Sequence, residues 1–130
     1  MFTLEQIKAA HSKVKSGADF PAYVQDLKTI GVQSYEHSVA DGQIVYLGAN
    51  DFKIASPAKW PAMDIAPVGS KDQLQHALKI HQGGQTDYPT FCKQSAEAGV
   101  EKWVLNLERM VCIYYDKSKD EILVESVPAV

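Results

Sequence analysis

The chain has no apolar run of roughly 18 residues or more, and its opening stretch, MFTLEQIKAAHSKVK, has no apolar leader core. A membrane span and a cleaved secretion signal are therefore not expected. Positive charge is never gathered into a block. Thirteen Lys+Arg stand against 16 Asp+Glu, for a net charge of −3. The densest local positive charge, around Lys13 and Lys15, is too thin to neutralise a phosphate backbone, which argues against a nucleic-acid partner. Cysteine is scarce. Cys92 and Cys112 lie far apart without a CxxC spacing, which fits reduced thiols of a cytoplasmic protein better than a disulfide framework or a zinc site. Phosphate-loop and dinucleotide spacings are missing as well.

What is present is a balance of 45% hydrophobic and 22% charged residues, the proportion of a globular protein with a real core. The chain also repeats itself at one constant offset. Asp19-Phe20-Pro21-Ala22-Tyr23 answers Asp87-Tyr88-Pro89-Thr90-Phe91, and Gly31-Val32 answers Gly99-Val100. Tyr35 answers Trp103, and Val45-Tyr46 answers Ile113-Tyr114. The expected organisation is one α+β domain over 1–130, an internal duplication of an ααβββ unit. Its halves are 2–57 and 69–128, joined by a linker at 58–68, with four helices packed on antiparallel sheet about a pseudo-twofold axis.

Local signals set the elements. Thr3 and Gln6 form a capping box with Phe2 and Ile7 as a staple, and Leu4, Ile7, His11 and Val14 share a helical face that ends at Ser16-Gly17. Asp19 and Pro21 open a second helix whose stripe is Phe20, Tyr23, Val24 and Leu27, stopped by Gly31. From Val32 the period becomes two. Val32–Val39 and Gln43–Leu47 read as a hairpin with a two-residue Asp41-Gly42 turn, followed by a short strand at Asp51–Ala55. Trp60, Met63 and Ile65 pin the proline-bearing connection to the body. Ser70 and Gln73 restart the pattern, with Leu74, Ala77, Leu78 and His81 on one face. Pro89 to Ala98 form the fourth helix, and strands follow at Val100–Leu107, Val111–Asp116 and Glu121–Val127.

The strongest candidate for chemistry is Cys92 with His81 as base and Asp87 as orienting carboxylate, since a helix start and a neighbouring base both activate a thiol. Against it, Cys92 stands where the first half has Val24, and Cys112 stands where it has Ile44. A cysteine replacing an aliphatic residue is more simply a small core hydrophobe. His11 and His81 likewise interrupt apolar faces, and His76 and His81 are wrongly spaced to share a helical face, so no metal or cofactor is expected. His37 is placed on a strand, cross-strand from a tyrosine. Gly83-Gly84 reads as a helix–helix turn capped by Thr86 or Asp87 rather than a phosphate cradle. Glu36, Glu101 and Glu108 read as solvated strand residues. Tyr35, Tyr46, Trp103, Tyr114 and Tyr115 all fall on strands, where they either face outward as a binding surface or pack beneath the helices.

The runs SGADFPAYVQDLKTIGVQSYE, HQGGQTDYPTFC, GVEKW and MVCIYYD followed by ILVESVP resemble small bacterial proteins of unknown function. That group includes the prophage proteins YbcV and YdfO, often labelled "phage envelope protein". The resemblance spans nearly the whole chain. It implies an α+β fold and a prophage or mobile-element setting, and it carries no activity, cofactor or catalytic residue.

The leading expectation is thus a non-enzymatic cytoplasmic module that binds a protein or small molecule at the junction of the halves, with Trp60, Tyr35, Trp103 and Tyr114 lining the cleft. The alternative is a small cysteine enzyme using Cys92, His81 and Asp87. A homodimer joined through sheet edges is a further possibility.

Overall fold

A computed structural model of the protein describes residues 2–14 and 19–127. Thr3 begins α1 (Leu4–His11) with a complete capping box: its hydroxyl accepts from Gln6 N while the Gln6 side chain accepts from Thr3 N at 2.8 Å. Such a cap is worth about 1 kcal/mol. The helix stops earlier than the apolar pattern implies. Val14 lies beyond it, and the expected stop at Ser16-Gly17 is outside the described residues. α2 (Phe20–Ile30) has Pro21 in its first turn and closes on Gly31 at φ 108, a left-handed conformation that costs glycine little.

β1 (Ser34–Ser38) and β2 (Ile44–Leu47) follow. Their connection differs from the expected two-residue turn. Ser38 N bonds Gln43 O, so Val39, Ala40, Asp41 and Gly42 all lie in the turn. Val39, fully buried at 0% exposure, continues the inward alternation of β1 and bonds Glu101 O on the β4 side. Gly42 then takes φ 74 beneath the Trp60 ring; a Cβ there would sit 2.9 Å from the indole. A short 3-10 turn (Ala49–Asp51) leads into β3 (Lys53–Ala55).

The connection to the second half is tied to both halves by backbone hydrogen bonds. Lys59 N and Met63 N reach Asp41 O and Ala40 O, while Ala66 N and Ser70 N reach Ala96 O and Ala98 O. Trp60 Nε1 adds a bond to Ala40 O at 3.0 Å. α3 (Lys71–Gln82) starts on the Ser70 hydroxyl, which accepts from Gln73 N. α4 (Tyr88–Glu97) starts on Asp87, whose carboxylate accepts from Thr90 N at 2.8 Å. Gly99 follows at φ 84, pressed against the linker: a Cβ would meet Val68 O at 2.5 Å. β4 (Lys102–Asn106), β5 (Val111–Tyr115) and β6 (Glu121–Ser126) complete the chain.

All six strands form one antiparallel sheet in the order β3-β2-β1-β4-β5-β6. The halves meet at its centre, where β1 pairs β4 with Glu36 opposite Val104. Ser34 faces Asn106 at one end of this ladder and Ser38 faces Lys102 at the other. The two sheet faces differ in burial. Tyr35, His37, Ile44, Tyr46, Trp103, Leu105, Cys112 and Tyr114 are buried beneath the helices. Glu36, Val45, Val104, Ile113 and Tyr115 on the other face are only half-buried. The two outer strands are managed by shortness at β3 and by an irregularity at Tyr114/Tyr115 beside β6.

Candidate functional site

Strand alternation and ladder register together lay two rows of side chains across the helix-covered face. One row runs Tyr46, Tyr35, Leu105, Cys112, Glu125; the other runs Ile44, His37, Trp103, Tyr114, Leu123. Above them the helices leave a cleft of about 920 Å³. Its roof comes from α1, the start of α2, the end of α3 and the start of α4, through Ile7, His11, Phe20, Leu78, His81 and Phe91. This volume is in the range of small-molecule sites.

The tyrosines reported as strand aromatics are therefore not an outward binding face. Tyr35, Tyr46, Trp103 and Tyr114 are buried and line the cleft, while Tyr115 lies on the opposite face with Lys102 Nζ 5.5 Å from its ring centre. The rings pack in a run and a pair. Tyr114 packs on Trp103 at 5.9 Å, Trp103 on Phe91 at 5.6 Å, and Tyr35 on Tyr46 at 5.6 Å between centroids. Tyr23 and Tyr88 add two more phenols from the helices. Burial raises the pKa of all five tyrosines, so each is a neutral phenol. Trp60 does not line the cleft; it stands behind Tyr88, 5.9 Å away.

His37 is the centre that the sequence reading passed over. It stacks flat on Trp103 at 4.0 Å, and its Nε2 is hydrogen-bonded to the Tyr88 hydroxyl. Its cross-strand neighbours are Ile44 and Trp103, not a tyrosine as expected from sequence; the tyrosine arrives from α4. Burial, and secondarily the positive charge of Lys59, lowers its pKa to about 3, so the ring is neutral. Where Tyr88 donates to Nε2, the ring proton lies on Nδ1, which faces the backbone of His37 and Ser38 and, among the described residues, makes no hydrogen bond of normal geometry. Alternation with Tyr35 and Val39 does put His37 on the inward face, but nothing local shows that Tyr88 will meet it.

The three residues of the catalytic alternative are divided. His81 and Asp87 are electrostatic neighbours at the start of α4. Asp87 is exposed, and its carboxyl is held below the usual range by its hydrogen bonds to Thr90. His81 stacks on Phe91 at 4.6 Å and turns Nδ1 to Thr86 O at 3.0 Å; burial lowers its pKa. Cys92 does not join them. It is fully buried, shares a hydrogen bond with Tyr88, and burial pushes its thiol up to about 12. Cys112 is also buried, its thiol pushed up to about 12. Among the described residues no group of His, Cys, Asp and Glu could hold a metal ion, and no helix is long and apolar enough to cross a membrane.

Charge in the cleft is divided between its ends. Lys8 and Lys59 lie on the side of the first half, beside a His11 ring whose pKa burial lowers, with Lys59 Nζ bonded to Gly42 O at 2.7 Å. Glu125 and Asp87 lie on the side of the second half. Glu36 and Glu101, expected to be solvated, are half-buried on the other face and at its margin, ion-paired with Lys102 and Lys119.

Among the described residues, four helices over one face of a six-stranded antiparallel sheet, with an aromatic cleft between the layers, define a two-layer α+β protein. The chain belongs to the family described as protein of unknown function (DUF1398), whose profile matches residues 8–126. No curated protein matches the chain.

Proposed function

We propose that the chain is a non-enzymatic binding module whose ligand occupies the cleft between the helices and the sheet. The observation that carries this is the cleft itself: about 920 Å³ lined by aromatic side chains, crossed by neutral phenols and bounded by a few charged groups at its ends. Large apolar volume with sparse, convergent polar groups is the composition of ligand sites. The cysteine-enzyme alternative has less support, because an unexposed thiol at about 12 supplies almost no thiolate near neutral pH.

The same reading takes residues 1–130 as one unit made by duplication. Support comes from the central ladder, where the pair Ser34–Asn106 and the pair Ser38–Lys102 exchange under the offset that relates the sequence repeats. The cleft straddles this axis, with Tyr35 and Trp103, and Tyr46 and Tyr114, as related pairs. A cytoplasmic setting and a prophage or mobile-element association are part of the proposal, the latter supported by the resemblance of the sequence. Self-association through sheet edges stands beside it, to be read by light scattering.

The test is uptake of Nile red, a neutral apolar dye whose emission rises and shifts to the blue in a dry site. One-to-one, saturable binding is expected. Ile44→Trp from the floor and Leu78→Trp from the roof should each abolish it while circular dichroism remains that of the parent. Uptake unchanged in both folded variants would overturn the reading.

A further inference from the structure

Resting on the cleft as a ligand site, we propose that its ligand is an amphipathic organic cation, with its ammonium or guanidinium group held between Glu125 and the Tyr114–Trp103 rings. Glu125 lies on β6 directly opposite Cys112, on the row that floors the cleft. Its carboxylate is half-buried and, among the described residues, accepts only from a neutral donor, Gln82 Nε2, at 3.2 and 3.3 Å. Among the described residues no ion pair involves it. A carboxylate taken partly out of water without a cation keeps an uncompensated cost of desolvation, which a ligand cation would offset. Burial accordingly raises the Glu125 pKa, while the Gln82 bond opposes the rise.

The aromatic wall beside Glu125 favours the same sign of charge, while Lys8 and Lys59 line the far end of the cleft. Tyr114 is the phenol beside Glu125, and the ring chain Tyr114, Trp103, Phe91 continues inward from it. Aromatic faces present negative charge, so they favour a cation and disfavour an anion. Other charged groups do not fill the role. Lys79 flanks Glu125 in a separate groove outside the cleft with Gln75 and Val124. Lys59 belongs to the opposite side and is bonded to Gly42 O. Asp87 is engaged in capping α4. The position related to Glu125 in the first half is Pro57, so the acidic anchor exists at one end only. That asymmetry orients the ligand: its charged head at β6, its apolar body along Tyr35 and Trp103.

The experiment displaces Nile red from the full chain with three molecules of one shape and different charge: benzyltrimethylammonium, neopentylbenzene and phenylmethanesulfonate. The cation is expected to compete at concentrations about tenfold lower than either analogue, or better. In Glu125→Gln, which keeps the partner for Gln82, the ratio of cation to neopentylbenzene affinity should collapse toward unity. Glu121→Gln, on the exposed start of β6, should retain it. Equal competition by all three, or a preference that survives Glu125→Gln, overturns the cation proposal and leaves the cleft reading standing. Failure of Nile red and of all three competitors to bind removes both.

Discussion

Replacing His37 by leucine should make the fold more tolerant of acid. The ring is 2% exposed, stacked on Trp103 and held near a pKa of about 3, whereas an unfolded histidine titrates near 6.5. Its folded pKa lies below the unfolded value, so between the two the unfolded chain binds a proton that the fold refuses. Stability falls as pH drops from about 6.5 toward about 3, and is unaffected by this group above about pH 7.5. At about pH 5 the difference amounts to about 2 kcal/mol. Leucine is the natural replacement, because the constant offset of the sequence matches sets His37 against Leu105, which is fully buried. The substitution leaves the Tyr88 hydroxyl without its histidine partner, at a cost of about 1–3 kcal/mol. That cost is the same at every pH in this range, and His37→Leu with Tyr88→Phe removes it. Urea unfolding at about pH 8 and about pH 5 supplies the assay, read as the loss of stability between the two. The parent should lose about 2 kcal/mol more than either variant. Contributions from His11 and His81, also lowered by burial, are common to all three proteins and cancel. Identical losses in parent and variants would refute a neutral, buried His37.

Two other outcomes follow from the packing. At about pH 7.5 a thiol near 12 is ionised in well under about one molecule in a thousand, so Cys92 should resist iodoacetamide in the folded protein and react fully in denaturant. Mass spectrometry reads this, and rapid native labelling of Cys92 would restore the nucleophile reading. Gly99→Ala should destabilise by about 2 kcal/mol or more, because φ 84 and a Cβ 2.5 Å from Val68 O leave only backbone to give way. A variant unfolding at the parent's urea midpoint would show that the linker is not held against the end of α4.

Much of this fold was legible because its signals are local. Thr3 and Gln6 are three residues apart and satisfy each other within one turn, so α1 starts where the sequence places it. The same holds for Pro21 and Gly31 around α2, and for Asp87 before α4. Period-two runs located all six strands. The misreadings arose where a distant partner overruled a local rule. Asp41-Gly42 suits a two-residue turn, yet Val39 pairs with Glu101 of the neighbouring segment and the hairpin closes only between Ser38 and Gln43. His37 was expected across from a strand tyrosine, yet its ladder partners are Ile44 and Trp103 and the tyrosine comes from α4.

The sequence by itself determined the elements, their order and the buried aliphatic character of both cysteine positions, because capping, glycine stops and periodicity act over a few residues. Only the tertiary structure decided what fills the interior. Ladder register brought Glu125 opposite Cys112 and Trp103 opposite His37, and α4 carried Tyr88 onto that histidine. These contacts join residues remote in sequence, and a single-residue slip in any strand would have turned them to the opposite face.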